Sequence, residues 1–406
     1  MPVFPQTPTA RRRRLRAGAV VTVVIVVGVL VRQGSGGKKV AAIQRETPSK
    51  PAGPVPAAGL AAPDSYAPGV PPNKDPNNIY YYDAASMLAP SLVGEPARVY
   101  VPNSDSNSVS VIDPATYQVI ETIPVGLQPQ HVSPSWDLTV LWVENDKGNS
   151  LTPLDPRTGK VGVPVAVEDP YNLYFTPDGT RAVVMAEALS RMDFRDAHTM
   201  ALRHSLQVPC NGLNHMDFSP DGRTAVASCE FDGQLLLIDM VHEKVLQTLD
   251  VGGAPQDVKL APDGGVYYVA DIKKNGLHVI DAPTFKEIGF INTGKGAHGL
   301  YPSRDASRLY VSNRDEGSVS VVDLATRTVE VKWVFDGGHG SPDMGGVSAD
   351  GKILWLSGRY DGEMYAIDTA TGMLVVPPIK VGKGPHGACV WPQPGRYSMG
   401  HTGILR

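Results

Sequence analysis

Apolar and polar residues alternate along most of this chain in short runs that end in aspartate. The run SVSVID (Ser108–Asp113) places Val109 and Val111 on one side of the chain and Ser108 and Ser110 on the other. Such a period of two is typical of a β-strand with two distinct faces. Related runs recur about 42 residues apart and end at Asp113, Asp155, Asp196, Asp239, Asp281, Asp323 and Asp368.

Seven copies at this period predict an all-β fold, a seven-bladed β-propeller with four-stranded blades. Loops such as TPDG (Thr176–Gly179) and SPDG (Ser219–Gly222) predict tight hairpin turns. The repeat begins at Arg98 with a second-strand phrase and ends with a first-strand phrase, HGACVWP. We therefore expect the C-terminal strand to complete the first blade and close the ring. The tail GRYSMGHTGILR is left over and is expected to fold over one face of the disc.

A second phrase precedes the aspartate runs, as in YVPN (Tyr100–Asn103), WVEN (Trp142–Asn145) and YVSN (Tyr310–Asn313). With these phrases the chain resembles the YVTN-type β-propeller repeat from about Ala97 to Trp391. The resemblance implies the propeller fold, whereas its implication for activity is weak because propellers host many unrelated functions. The propellers of cytochrome d1 and nitrous oxide reductase are similar, and they hold haem and copper at their centres. That likeness implies a metal centre as one option but carries over no ligands.

The N-terminal region has the pattern of a targeting segment. Arg11–Arg14 and Arg16 precede an apolar run, Ala17–Val31, which Arg32 closes. As a helix this run spans about 22 Å, short of the roughly 30 Å bilayer core. It is therefore either a cleaved signal peptide or an anchor whose arginines snorkel, and the lack of an A-x-A site favours the anchor. In both cases the remainder of the chain is exported.

Three regions follow from this pattern. Residues 1–33 are predicted to be a basic flank with a single N-terminal apolar signal-anchor helix. Residues 34–78 are a Pro/Ala/Gly-rich stretch that is predicted to be a disordered linker. Residues 79–406 form the propeller and the short C-terminal tail.

Charge and cysteine content narrow the function classes. Ten of the 37 Lys/Arg and one of the 41 Asp/Glu lie in residues 1–50, so the remainder carries a net charge of −13. This negative charge would repel the phosphate backbone, which disfavours nucleic acid as a partner. Of the three cysteines, Cys210 and Cys229 are expected near each other, either as a disulfide or as space-filling side chains, and Cys389 is expected in the core.

The residue near the start of each inner strand is expected to point towards the mouth of the central channel. These residues form the channel-mouth ring, which reads His131, Asn172, His215, Asp257, His298, Asp343 and His386. Two near-identical hexapeptides, GKGAHG and GKGPHG, supply His298 and His386. One interpretation is a site for copper or another divalent cation on His131, His215, His298 and His386, since imidazole is a common ligand of such ions. The other is a hydrated channel that tolerates polar side chains.

The residues that end the second strands are expected near the same mouth. This second ring reads Asn103, Asn145, Glu187, Glu230, Asp271, Asn313 and Gly358. Three consecutive acids, Glu187, Glu230 and Asp271, suit a hard cation such as calcium. The alternative is that these short polar side chains cap hairpins.

Three functions are compatible with these features. The first is a membrane-tethered extracytoplasmic propeller, attached to the cell membrane by one pass or secreted if the signal is cleaved, that binds an envelope protein or a small ligand at the channel face. The second is a metalloprotein with copper or another metal on the channel histidines. The third is a metal-dependent, lactonase-like hydrolase. The sequence has no G-x-S-x-G, H-E-x-x-H or P-loop motif, which favours the non-enzymatic interpretation.

Overall fold

The computed structural model describes residues 66–75, 77–335, 338–401 and 405–406, together with the backbone of residues 44–46. The apolar run Ala17–Val31 and most of the predicted linker lie outside these residues. Within the described part of the chain, no helix has the length and apolar character needed to cross a bilayer.

Seven antiparallel sheets form the blades, and each has four strands running from the channel to the outer edge. Blade 1 contains β2, β3 and β4, and the last strand, β29, completes it. Blades 2 to 7 each contain four consecutive strands, from β5 to β28. The short β1 pairs with the outer edge of blade 6. The bounds are β1 (Gln44–Glu46), β2 (Arg98–Asn103), β3 (Ser108–Asp113), β4 (Gln118–Pro124), β5 (Pro129–Pro134), β6 (Leu141–Asn145), β7 (Ser150–Leu154), β8 (Val165–Ala166), β9 (Asn172–Phe175), β10 (Arg181–Ala186), β11 (Arg191–Asp196), β12 (Leu202–Gln207), β13 (Leu213–Phe218), β14 (Thr224–Cys229), β15 (Gln234–Asp239), β16 (Lys244–Asp250), β17 (Pro255–Leu260), β18 (Val266–Asp271), β19 (Gly276–Asp281), β20 (Lys286–Asn292), β21 (Ala297–Pro302), β22 (Arg308–Asn313), β23 (Ser318–Asp323), β24 (Thr328–Val334), β25 (Pro342–Val347), β26 (Ile353–Gly358), β27 (Glu363–Asp368), β28 (Ile379–Lys380) and β29 (Cys389–Trp391). Two 3-10 turns, Tyr81–Asp83 and Pro90–Leu92, precede β2.

The seven-bladed, four-stranded all-β fold is thus confirmed, and so is the way the ring closes. Strand β29 pairs antiparallel with β2, with Cys389 opposite Tyr100 and Trp391 opposite Arg98. This pairing gives the inner edge of the first blade a partner and leaves no open seam at the channel.

The core lies between adjacent blades. Phe194 of β11 and Phe218 of β13, for example, are fully buried in one cluster that joins blades 3 and 4. The disulfide interpretation of the two nearby cysteines is confirmed, because Cys210 and Cys229 are joined within this cluster. Cys389 is free and buried, as expected for a core residue.

The segment before the first blade packs on the propeller from residue 66 onwards. Ala67 and Val70 are buried, and the Ala67 N–H donates to the carbonyl of Asp221 at 2.8 Å. Tyr80 is also buried and its hydroxyl donates to the carbonyl of Leu260 at 2.6 Å. Within the stretch predicted as a disordered linker, residues 66–75 and 77–78 therefore pack on the folded body, and Gln44–Glu46 pairs with β24. For the other residues before 66 the linker stays a prediction.

The C-terminal tail folds across the ends of inner strands on one face, as expected. The Phe175 N–H of β9 donates to the carbonyl of Met399 at 3.0 Å, and the Ser398 N–H donates to the carbonyl of Trp136 at 3.1 Å. Leu405 is fully buried in the cluster that joins the first two blades. This path carries His401 under the channel.

Candidate metal centre

A β-bulge aims the ring residue of five inner strands into the channel. The strand register shifts at the positions of His131, His215, Asp257, His298 and Asp343. A bulge turns one side chain out of the regular alternation of the strand. In three blades a serine of the second strand accepts the freed N–H: Ser228 from His215 at 3.2 Å, Ser312 from Gly299 at 2.8 Å and Ser357 from Met344 at 3.2 Å.

Three imidazoles meet at the centre of the channel. His131 comes from blade 2, His215 from blade 4 and His401 from the tail, and one possible ligand atom of each lies within 4.8 Å of the others. The ring of His401 lies 4.7 Å from that of His215 and 5.4 Å from that of His131, measured between centroids. All three side chains are fully buried. We call this group the histidine triad.

The outer nitrogen of each ring in the triad is already engaged. Nδ1 of His131 donates to the carbonyl of Tyr171 at 2.8 Å, and Nδ1 of His215 donates to Oδ1 of Asn214 at 2.5 Å. Nδ1 of His401 lies 3.1 Å from Nδ2 and 3.2 Å from Oδ1 of Asn172. Because a carbonyl oxygen can only accept, Nδ1 of His131 and His215 carries the proton and Nε2 is left with its lone pair. These three Nε2 atoms are buried with no hydrogen-bond partner among the described residues.

Burial keeps these imidazoles neutral. It lowers the pKa of His131, His215 and His401 well below the usual value for histidine, because a charged ring would lose its hydration there. The proximity of His401 lowers the pKa of His131 and His215 further. A neutral imidazole with a fixed outer N–H is the form that ligates metals.

A second group lies beside the triad. His298, Asp343 and His386 also offer ligand atoms within 4.8 Å of one another, and we call them the mixed triad. Nδ1 of His298 lies 2.9 Å from Oδ1 of Asp343, and Nε2 of His386 lies 3.5 Å from its Oδ2. Burial alone would raise the pKa of Asp343, but His298 and Arg314 outweigh it and hold that pKa at about 2.

The two remaining ring residues take supporting positions. Asn172, in blade 3, holds Nδ1 of His401. Asp257 accepts from the Leu300 N–H at 2.9 Å through Oδ2, while its Oδ1 lies 3.4 Å from Nε2 of His401. All seven predicted ring positions are therefore buried at the channel, and five of them belong to the two triads.

Tyr171 covers the histidines at the mouth. Its ring lies edge-on to His131, 5.4 Å away between centroids, and the residue is 9% exposed. Burial raises the pKa of Tyr171, Glu230 raises it further and Arg359 lowers it, and the carboxyl of Glu187 lies nearby. Burial and Glu230 raise the pKa of Glu187 to about 8, so its carboxyl holds a proton at neutral pH.

The other residues of the second ring are occupied within their own blades. Asn145 donates to Oγ1 of Thr152 at 2.8 Å, and Asn313 donates to the hydroxyls of Ser318 and Ser320 at 3.0 Å. Asn103 makes the equivalent bonds, and Gly358 closes β26.

The three predicted acids do not form one cluster. Asp271 accepts from the backbone N–H of Ala254 at 3.0 Å and Lys274 at 2.6 Å, while Glu230 accepts from Asn214 at 3.1 Å. Within the described residues, Glu187, Glu230 and Asp271 do not bring ligand atoms to a common point. This geometry does not favour the hydrolase alternative.

Comparison with known proteins agrees with the fold. A family model described as a YNCE-like beta-propeller matches residues 55–394. The chain belongs to this family. The protein YncE of Salmonella typhi, described as uncharacterized, is 25% identical over 265 residues, which are 61% of this chain and 73% of that protein. The seven-bladed beta-propeller protein Rv1057 of Mycobacterium tuberculosis is 28% identical over 290 residues, which are 65% of this chain and 66% of the relative. Among solved structures, Kuenenia stuttgartiensis hydrazine synthase superposes with a TM-score of 0.61 at 18% identity and covers 75% of this chain and 99% of that one, a likeness of fold alone.

Two members of the centre of this YncE-like propeller escaped the sequence analysis. His401 lies in the tail, outside the repeat, so no periodic position pointed to it. The signal that was present is Gly400, directly before His401, because Gly296 lies similarly close before His298 in GKGAHG. Tyr171 directly precedes the ring residue Asn172, and a ring with one position per blade does not include it.

Proposed function

We propose that this YncE-like propeller is a metal-binding module of the cell envelope, and that its histidine triad holds one zinc or copper ion at the channel centre. The observation that carries the proposal is that His131, His215 and His401 direct three unpartnered, buried Nε2 atoms to one place. Three imidazoles with an open fourth position form a common set for zinc, and imidazole also suits copper.

The outer hydrogen bonds support the same conclusion. A ligating histidine usually donates its other ring N–H to a carbonyl or carboxylate, which fixes the ring and its tautomer. Here Tyr171 and Asn214 take that part for His131 and His215, and the side-chain amide of Asn172 lies within hydrogen-bond distance of Nδ1 of His401. A hydrated channel would need no such fixed orientation of the imidazole rings. The ligand of the binding module, in this proposal, is therefore the metal ion itself.

The placement in the envelope rests on two features. The arginine-flanked run Ala17–Val31 favours export with a membrane tether. The disulfide Cys210–Cys229 is of the kind found in oxidising compartments outside the cytoplasm. An envelope protein that exchanges metal with the channel is the partner class we propose. Fractionation of cells that express the full chain, with protease added from the outside, tests this: full protection of the propeller in intact cells contradicts it.

The metal site is tested by elemental analysis of the full chain, purified in detergent and equilibrated with zinc or copper. We expect H401A and H215A each to lose the ion of the histidine triad while retaining the fold. The matched control is H198A, because His198 is exposed on the outer part of blade 3. Equal metal content in wild type and both triad variants would overturn the proposal.

A further inference from the structure

The geometry points to a second metal site on the mixed triad, so that the channel holds two neighbouring ions with different ligand sets. His298, Asp343 and His386 supply two imidazoles and one carboxylate. His298 and Asp343 lie in the inner strands of blades 6 and 7, and His386 lies just before the inner strand of blade 1. This inference goes beyond the proposed function, which needs only the histidine triad.

The unpartnered atoms of the mixed triad are the first argument. Both carboxylate oxygens of Asp343 are buried without a hydrogen-bond partner among the described residues, and so is Nδ1 of both His298 and His386. The distances of 2.9 and 3.5 Å bring the groups together, yet no hydrogen bond of good geometry forms between them. Arg314 offsets part of the charge of this buried carboxylate, but its oxygens still lack aligned donors, and a cation between the three side chains would be ligated by them and by one nitrogen of each imidazole.

Arg314 leaves room for that cation. Its Nη1 lies 3.5 Å from Oδ1 of Asp343 and makes no hydrogen bond to it. The guanidinium stacks on the ring of Tyr360 at 5.4 Å, which holds it at the mouth. It therefore balances part of the charge of Asp343 and still leaves both oxygens free to ligate.

The second argument is the repeated hexapeptide. GKGAHG and GKGPHG are the same turn in two blades, and each ends in a histidine of the mixed triad followed by glycine. The terminal glycine is required by close packing in the channel: a Cβ on Gly387 would lie 2.0 Å from Cδ2 of His131, and one on Gly299 would lie 2.9 Å from the carbonyl oxygen of Asp343. The repeat thus places two ligands, one on each side of Asp343, at the closest approach of the inner strands.

The ligand sets predict which ions bind. Two imidazoles and a carboxylate form the triad used for divalent iron and also suit zinc and manganese. The all-imidazole triad favours copper or zinc. The two triads are adjacent in the channel. The ring centroids of His131 and His386 are 4.8 Å apart, and those of His215 and His298 are 6.1 Å apart. Ions in the two triads are therefore close, as in two-metal sites.

The test is a titration of the metal-free full chain with copper(II), followed by stoichiometry and by electron paramagnetic resonance. We expect two ions per chain and a spin-coupled spectrum from the close pair. D343N and H386Q should each bind one ion and give an uncoupled spectrum, and H401A should do the same with a different spectrum. The control is D315N, which removes a partly exposed carboxylate beside Arg314. Thermal unfolding of each metal-free variant shows whether it folds.

The outcomes separate the two sites. One ion in wild type, with D343N and H386Q unchanged, overturns the second site and leaves the proposed function standing. No ion in H401A and none in D343N or H386Q, with one ion in wild type and all variants folded, shows a single shared site and also overturns the inference. Unchanged binding in H401A with one ion lost in D343N and H386Q supports the mixed triad and refutes the histidine triad.

Discussion

Replacing Arg406 by methionine should weaken both the fold and the metal centre. The guanidinium donates to Oδ1 of Asp217 at 3.0 Å and to the carbonyl of Phe218 at 2.9 Å, and both charged side chains are almost fully buried. Removing one partner of a buried pair costs about 3–5 kcal/mol because it leaves the other charge unpaired. With an unfolding entropy of about 2.1 cal/mol/K per residue over roughly 330 folded residues, this lowers Tm by about 4–7 °C.

The metal centre responds because Arg406 anchors the tail that supplies His401. R406M should weaken zinc binding to the histidine triad by at least about tenfold, as loss of a supporting contact does in other metal sites. Calorimetric titration with zinc and thermal unfolding of the metal-free chain measure the two effects. R396M is the matched control, because Arg396 lies in the same tail but bonds only backbone carbonyls and stacks on Tyr82 at 4.0 Å.

A double-mutant cycle decides whether the ion pair is the cause. D217N/R406M leaves no buried unpaired charge, so it should be more stable than R406M alone. The reasoning is refuted if R406M unfolds within about 1 °C of wild type, or if the double variant is less stable than the sum of the two single changes.

Three further predictions follow from the same structure. In urea unfolding, E187Q should be more stable than wild type at pH 9 and equal to it at pH 5. The folded chain keeps a proton on Glu187 up to about pH 8, whereas the unfolded chain loses it above the ordinary pKa of 4.5, so the free energy of unfolding of the wild type falls between these pH values. A constant difference between the two proteins at both pH values would contradict this. G387A should cost about 1–3 kcal/mol and lower the zinc content, because the new methyl group overlaps the ring of His131. C210A/C229A, which opens a loop with a sequence separation of 19, should cost about 3 kcal/mol by calorimetry, and equal Tm values for the variant and the wild type would count against it.

The repeat made the fold and five of the six triad residues predictable. The period of the aspartate runs located each inner strand, and the same count placed His131, His215, His298, Asp343 and His386 at the channel. A periodic pattern reports positions that recur, so it could not report His401, which reaches the channel through a tail held by Met399 and Leu405. The periodic pattern also could not predict that the ring divides into two triads, because the bulges that orient these side chains do not change the alternation of apolar and polar residues.

The second ring shows the opposite limit. Five of its positions end second strands, whereas Glu187 and Glu230 lie one residue beyond β10 and β14. The partners of Asn145, Asp271 and Asn313 are hydroxyls, backbone N–H groups and a histidine of their own blade. A short polar side chain at the end of a strand reads the same whether it caps a hairpin or faces a ligand. Only the packed structure distinguishes the two cases.

The seam at which the propeller closes affects the order in which the blades fold and unfold. Strand β29 pairs with β2 over only three residues, and His386 lies just before it. Asn172 and His401 are likewise 229 residues apart in sequence. The ligands of both proposed sites come together only when the ring has closed and the tail has docked, so we expect metal loading to follow ring closure. An ion bound at the proposed mixed triad would then connect the seam to blades 6 and 7. In hydrogen exchange, chelation should therefore release the amides of β29 before those of any other inner strand.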